Sequence, residues 1–389
     1  MLVCAKSALY KLKHSIKAKN AFEFNLIIFV FGPKIRHLTL SLDEEIVYSP
    51  PMKASELAVL KKLLATPKKI VIVPHKNPDG DAMGSTLALY QYLVKTGHKA
   101  HVVSPNDYPK FLKWLPYEDT VVKFDLHNKK AVRLINEADL IFTLDFNALS
   151  RVAEMEPALQ NASAQFVMID HHQQPDDYAV VTYSDTSVCA TCQMVYHTFE
   201  MLEVTNLIDA DMATCLYTGI MTDTGSFRFR STTATTHQVI AALIAKGADN
   251  ALIHEKIYDA NNFSRMQLLG TALTNLHRLE EYRAAYITLS QEELDAHDYQ
   301  KGDTEGFVNY GLSLENTVLA LIFIENKQEG IIKISLRSKG DFSVNLMARE
   351  HFEGGGHTNA AGGKSDRSLE DTIAYFISIL PQYKEALNE

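Results

Sequence analysis

An α/β fold with a parallel sheet, followed by a second and smaller α/β domain, is predicted for most of this 389-residue chain. Three observations carry it. Apolar runs at 69–74, 99–103, 138–144 and 165–169 have the length and continuity of strands buried on both faces. Between them lie stretches with helical apolar spacing, the alternation that places helices over a parallel sheet. The composition, with 46% hydrophobic and 22% charged residues, is that of an ordinary globular protein and excludes collagen-like or disordered classes. At about 150 residues per domain, the length fits two domains.

The pattern becomes regular at Met52. Residues 55–64 have helical spacing, 69–74 form the first strand, and 83–95 read as a helix closed by Gly97. After the strand at 99–103, the runs 138–144 and 165–169 each end directly in an aspartate. Helices are expected at 187–202, 209–222 and 235–246, the last ending at Gly247. Helical spacing continues through 263–280 without a Gly/Pro-rich linker. Strands then follow at 284–289, 316–324 and 330–337, with a helix at 343–352, a glycine-rich turn and a final helix at 369–383. The expected divisions are a catalytic domain over 52–246, a helical connector over 247–282 and a second domain over 283–389. Residues 1–51 show no clean period and end in Ser49-Pro50-Pro51, so they read as an extension produced by a start assigned too far upstream.

The apolar run at 25–31 is far short of the roughly 20 residues that a spanning helix needs, and no small-residue cleavage site follows it. Four cysteines in so long a chain are too few for a disulfide framework, which points to the cytoplasm. Lysine and arginine number 38 against 47 acids, a net charge of -9. Long duplex nucleic acid is therefore not an expected partner, because that grip needs many phosphate-neutralising cations. A short anionic substrate in one local site is compatible with this balance.

Four stretches place acids and histidines where the strand pattern breaks. His75-Lys-Asn-Pro-Asp-Gly-Asp-Ala82 holds His75, Asp79 and Asp81, a mix of imidazole and carboxylate suited to divalent ions, although Asn-Pro and Asp-Gly are also turn signals. The amides of Gly84 and Ser85, read as the start of the next helix, offer a phosphate site. Asp145 ends the third strand, where an aspartate is commonly a cap or turn residue. Asp170-His171-His172 ends the fourth, and adjacent histidines there should point in different directions. Asp223 sits at a helix C-terminus, where a bare acid opposes the dipole unless a cation compensates.

The four stretches together, in this order, resemble the DHH phosphoesterase superfamily over residues 53–385. The resemblance implies two Mn²⁺ ions, with Mg²⁺ or Co²⁺ as substitutes. It implies that His75 and Asp79 bind the first ion, that Asp81, His171 and Asp223 bind the second, and that Asp145 bridges them. It further implies that His172 faces the substrate phosphate and that Asp170 orients its neighbours. Two such ions about 3.5–4 Å apart activate a water for in-line attack, so no protein nucleophile is expected. His172 is the expected phosphoryl stabiliser or proton donor.

The stretch Glu353-Gly-Gly-Gly-His-Thr-Asn-Ala-Ala-Gly-Gly363 is similar to the glycine-rich signature of the DHH-associated C-terminal domain. Consecutive glycines can turn amides toward an anion, so Gly354, Gly355, Gly356 and His357 are expected to contact substrate in a cleft between the domains. Arg337 suits bidentate phosphate binding, and an exposed strand charge is its plainer reading. The two-domain plan resembles the oligoribonuclease/pAp-phosphatase branch. That implies hydrolysis of short RNA of two to five nucleotides and of 3′-phosphoadenosine 5′-phosphate (pAp). Hydrolysis of pApA or cyclic di-AMP is the enzymatic alternative, pyrophosphate hydrolysis a weaker one, and a catalytically silent nucleotide sensor the alternative from another class. A homodimer stays open.

Among the remaining features, Cys189 and Cys192 have redox or zinc spacing but lie in an apolar helical pattern without a second pair, so core packing is expected. Trp114 reads as an apolar anchor. Arg228 and Arg230 either reach substrate or are sheet charges.

Overall fold

The computed structural model describes residues 52–388, so the expectation for the first 51 residues lies outside the described residues. Helix α1 (Ala54–Leu64), strand β1 (Lys69–Pro74), helix α2 (Gly80–Lys95) and strand β2 (Lys99–Ser104) come first. They are followed by β3 (Val122–Lys123), α3 (Phe124–Asn136), β4 (Leu140–Leu144), β5 (Gln165–Asp170) and β6 (Val181–Ser184). The strands form one sheet in the order β3-β2-β1-β4-β5-β6, and every pairing is parallel. Because β1 buries residues on both faces, Ile70 and Ile72 pack into one core and Val71 and Val73 into the other. Strand order reverses between β1 and β4, the point at which such sheets open a crevice beyond their carboxyl ends.

Helices α4 (Thr191–Met201), α5 (Ala210–Asp223) and α6 (Ala234–Ala245) complete this half, and α7 (Phe263–Thr274) leads out of it. The second sheet consists of β7 (Leu276–Leu279), β8 (Ala284–Leu289), β9 (Leu319–Asn326) and β10 (Ile331–Ser338), then, after α8 (Val344–His351), β11 (Gly355–Gly356) and β12 (Ala360–Ser365). Its order is β11-β12-β10-β9-β8-β7, with β8 and β9 parallel and the other pairs antiparallel. Helix α8 and the later α9 (Leu369–Ile379) cover one face, contributing Met347, Ala348 and Phe376 to a core with Leu321, Phe323 and Ile334. No described helix is long and apolar enough to cross a membrane.

Two stretches take a different secondary structure from the one the sequence suggests. Helical spacing through 280 fails at Asn275, whose side chain donates to the Thr288 carbonyl (3.1 Å) and ends α7. Leu276–Leu279 then pairs with β8, with His277 stacked on Tyr286 at 4.8 Å. The glycine-rich stretch expected as a turn instead forms β11 and β12, which pair with each other.

Helices α2 and α5 pack at glycine. A Cβ on Gly219 would lie 2.2 Å from Cys192 Sγ and 2.8 Å from Asp81 Oδ1. Gly219→Ala should therefore cost roughly 1–3 kcal/mol of stability, the usual penalty of overpacking. Thermal melting checks this, and an unchanged Tm would contradict the close approach.

Candidate active site

Each motif folds so that its side chains meet above the crevice. The turn after β1 carries His75 and leads to Asp79, whose Oδ1 accepts from the amides of Asp81 (3.0 Å) and Ala82 (3.1 Å) and caps α2. Helix α2 begins at Gly80, earlier than the sequence suggested. Ser85 consequently lies one turn inside the helix, fully buried, with its hydroxyl donating to the Ala82 carbonyl. The expectation that Ser85 meets a phosphate is corrected: its amide belongs to the helix ladder and its side chain faces the interior.

Asp145 follows β4 in the left-handed backbone region (φ 66°) and is 2% exposed. Its Oδ2 lies 3.5 Å from His75 Nε2 and its Oδ1 lies 3.4 Å from His171 Nε2, one oxygen turned to each imidazole. His75 Nε2 also faces Asp79 at 3.8 Å, and His171 Nε2 faces Asp81 at 3.8 Å and Asp223 at 3.5 Å. These separations exceed the usual 2.7–3.2 Å of a hydrogen bond and suit donor atoms arranged around a common centre. The remaining ring nitrogens are engaged by backbone carbonyls: His75 Nδ1 by Lys76 (2.8 Å) and His171 Nδ1 by Val188 (3.2 Å). With Nδ1 held by a carbonyl, each Nε2 faces the acids and is the nitrogen that can take a cation once its proton is displaced, which is how a metal-binding histidine is held. Two sets able to hold a cation result, His75 with Asp79 and Asp145, and Asp81 with His171 and Asp223.

The electrostatics have the same origin. Burial alone would lower the His75 pKa, but Asp145 and Asp79 outweigh it and carry it up to about 10. Burial, with repulsion from Asp79 and Asp145, pushes Asp223 up to about 7 despite His171. Asp81 rises well above the carboxylate range through burial and the Asp145 and Asp223 charges, whereas His171 and His75 outweigh burial and hold Asp145 well below it. Such a concentration of acids in the interior needs cationic compensation.

The outer groups fix this arrangement. Asp81 accepts the amides of Thr191 (2.6 Å) and Cys192 (2.8 Å) at the start of α4, and the Thr191 hydroxyl donates to Asp145 Oδ1 (3.0 Å). Asp170 is fully buried and accepts from the His172 amide (2.9 Å) and His172 Nδ1 (2.7 Å). The His171 and His172 rings are inclined at 73°. His357, from the turn between β11 and β12, stacks on His172 at 4.3 Å and lies 4.6 Å from His171. Burial, and then the neighbouring histidine charges, keep His357 well below its ordinary pKa, so it stays neutral.

The glycines act differently from the expected anion cradle. The amides of Gly354, Gly356 and His357 already donate to Ala348 O, Asn345 Oδ1 and Ala360 O. Gly354 and Gly356 are required by close packing, since a Cβ would lie 2.0 Å from the Gly362 carbonyl at the first and 2.5 Å from the Ala360 carbonyl at the second. Gly354, Gly355 and Gly356 line a cavity of about 620 Å³ that also includes His172, Gln173 and Asn147. Arg337 is half-buried outside that wall, near Glu305, Asp223 and Asp79. Arg228 donates to the Gly225 carbonyl (2.7 Å) and Arg230 pairs with Asp341 (3.3 Å), both exposed and in a turn. Cys189 and Cys192 are buried, and burial pushes the Cys189 thiol up to about 12. Trp114 packs half-buried against the first core. Thr191 escaped the sequence reading because it lies inside the cysteine-containing segment. Asn345 and Arg349 share one face of α8 at i and i+4, a spacing that was available as a signal.

The model of the DHH family N-terminal domain matches residues 69–220, and that of the DHHA1 domain matches residues 282–383. A bifunctional oligoribonuclease and PAP phosphatase, NrnA, of Thermus thermophilus is 32% identical over 78% of this chain and 86% of its own length. The probable NrnA of Streptococcus mutans is 27% identical, over 82% and 97% of the two chains. The cyclic-di-AMP phosphodiesterase GdpP of Geobacillus thermodenitrificans is also 27% identical, but only 49% of that protein is matched. The crystal structure of an exopolyphosphatase-related protein from Bacteroides fragilis superposes with a TM-score of 0.83 at 38% identity, covering 87% of this chain and 99% of that one.

Proposed function

The chain belongs to the DHH family of phosphoesterases and carries a DHHA1 domain, and on that premise we propose that it hydrolyses short oligoribonucleotides and pAp with two Mn²⁺ ions. The observation that carries the reading is Asp145, with one buried carboxylate oxygen directed at each of two histidine and acid sets. His75 and Asp79 would hold one ion, Asp81, His171 and Asp223 the other, and Asp145 both. When bound, such a pair supplies an activated water and neutralises charge on the phosphoryl oxygens. We assign the catalytic half to 52–246, the connector to 247–282 and the substrate half to 283–389.

The chain's own residues supply the rest. Asp170 holds His172 by Nδ1, which leaves Nε2 to stabilise the phosphoryl group or to give a proton to the departing oxygen. Neutral His357 can donate one hydrogen bond without adding charge, and Arg337 adds a guanidinium beside Asp79 and Asp223. Gln173 reaches Thr358 (3.4 Å) and Asn345 (3.5 Å) across the halves, so the cavity is bounded on that side, as short substrates require. The higher identity to the NrnA of Thermus thermophilus, 32% against 27% for the cyclic-di-AMP phosphodiesterase, supports this reading over cyclic-di-AMP hydrolysis.

Initial rates with Mn²⁺ on pAp, pApA, cyclic di-AMP, pyrophosphate and a 24-mer RNA test the function. Turnover of pAp should dominate. Faster cyclic-di-AMP or pyrophosphate turnover, or nucleotide binding without turnover of any substrate, would overturn the assignment.

Metal uptake should weaken as pH falls from 8 to 6. His75, carried up to about 10, and Asp223, up to about 7, hold protons there that a cation must displace. A raised pKa means protonation below it, so uptake releases protons and its apparent affinity rises with pH. Calorimetry in two buffers of different ionisation enthalpy measures this, and pH-independent uptake without proton release would contradict it.

A further inference from the structure

Five of the six side chains in the two cation sets are fixed by hydrogen bonds of their own. Backbone carbonyls engage His75 and His171, backbone amides hold Asp79 and Asp81, and the Thr191 hydroxyl holds Asp145. Asp223 is the exception. Among the described residues its carboxylate accepts no amide or hydroxyl hydrogen bond, and its ion-pair contact is His171 Nε2 at 3.5 Å. It is also the last residue of α5, where the helix dipole repels a carboxylate. Its placement therefore depends on the backbone that follows.

That backbone is strained. Gly225, Ser226 and Phe227 have φ of 56°, 61° and 65°, three consecutive residues in the left-handed region, which glycine takes freely and residues with a Cβ do not. Inside the turn, the Phe227 amide donates to Thr224 Oγ1 (3.0 Å) and the Ser226 amide to the Met221 carbonyl (2.8 Å). The Ser226 hydroxyl reaches out of the turn, to His254 Nε2 (3.0 Å). His254 Nδ1 lies 2.8 Å from the Asn250 carbonyl, so it carries a proton and Nε2 is presented to Ser226. The ring also stands edge-on to Tyr217 of α5, at 6.3 Å. His254 closes the short helical segment Asn250–His254, and a π-helical turn, Glu255–Asp259, follows it directly. Such turns are uncommon and concentrate at functional sites. This stretch leads into α7 and the second sheet.

We propose that His254 is a positioning residue for the metal centre: through the Ser226 hydroxyl it holds the strained turn, and through the turn it aims Asp223 at the cation shared with Asp81 and His171. The proposal rests on the phosphoesterase reading above and adds to it a residue outside both cation sets. It also makes occupancy of that cation depend on how the segment joining the two sheets is seated, because the residue that holds the turn belongs to that segment.

Calorimetric titration of the metal-free full chain with Mn²⁺ tests this. Wild-type protein should take up two ions. His254→Leu and Ser226→Ala should each weaken one of them by roughly tenfold or more, the usual effect of losing an outer hydrogen bond at a metal site, and leave the other unchanged. The double variant should be no weaker than either single one, because both changes remove the same hydrogen bond. His254→Gln should restore most of the affinity. Ser226→Gly should lose less than Ser226→Ala, since glycine relieves the left-handed strain against which the hydroxyl works. Unchanged affinity in both single variants would overturn the proposal, and so would equal weakening of both ions, or Ser226→Gly faring no better than Ser226→Ala. If His254→Leu does not fold, the two Ser226 variants decide. If wild-type protein binds fewer than two ions, the functional reading fails on its own. Hydrogen exchange of the metal-free protein then judges the hold: faster exchange of amides 226–229 in His254→Leu, with His254→Gln close to wild type, supports it, and equal exchange overturns it.

Discussion

Asp145→Asn should reduce turnover of pAp by about three orders of magnitude or more and remove tight binding of at least one Mn²⁺. The substitution keeps the shape of the side chain, and asparagine tolerates the left-handed backbone (φ 66°) that Asp145 adopts. The Thr191 hydroxyl can still donate to the amide oxygen. What is lost is one anionic oxygen, so that one of the two imidazole-bearing sets loses a ligand. A loss of several kcal/mol of transition-state stabilisation at a metal centre corresponds to about 10³-fold in rate. Because His75 and His171 outweigh burial and hold the Asp145 carboxylate charged, the change leaves buried imidazoles short of a partner and should also lower the stability of the folded apo protein. Steady-state kinetics and metal counting check the expectation together. Retention of two tight ions with a tenth or more of wild-type activity would remove Asp145 from the role given to it.

Asp170→Asn should act through a different link. Asp170 touches His172 by two hydrogen bonds of 2.9 and 2.7 Å, and it belongs to neither of the two sets assigned to the ions. The amide can mimic one acceptor but cannot stabilise a positive imidazole, and it can trap the wrong tautomer. A fall in kcat of about 10²–10⁴ is expected for the adenylate-leaving substrates, the range associated with general acid–base groups. Binding of Mn²⁺ and KM should change far less. The loss should shrink for a nitrophenyl phosphodiester, whose leaving group needs no proton. An equal loss on both substrates would assign Asp170 to structure alone.

These two residues also illustrate what was legible in the sequence. Asp145 and Asp170 stand at the ends of apolar runs, and a parallel sheet brings strand ends together, so the convergence of His75, Asp79, Asp81, Asp145, His171 and Asp223 follows from topology and register. The Asp-Gly turn was less informative: it put the start of α2 too late and drew Ser85 onto a surface it does not occupy. The glycine run was read as an amide cradle, whereas the Ala348 carbonyl, the Asn345 side chain and the Ala360 carbonyl take the amides of Gly354, Gly356 and His357. Residues 276–279 carry apolar side chains at a helical interval, and only the neighbouring β8 makes them a strand. Arg151 and Arg349, which both line the cavity, come from different halves of the protein, so their common wall could not be read from the sequence. The net charge of -9 makes long duplex nucleic acid an unexpected partner, and a short anionic substrate in one local site is compatible with it.

The central claim is that one buried aspartate sits between two metal-binding sets. Anomalous diffraction from crystals grown with Mn²⁺, collected at the manganese edge, tests it most directly. The account predicts two peaks about 3.5–4 Å apart, one against His75 and Asp79, the other against Asp81, His171 and Asp223, with Asp145 between them. A single peak, or manganese bound away from Asp145, would contradict it.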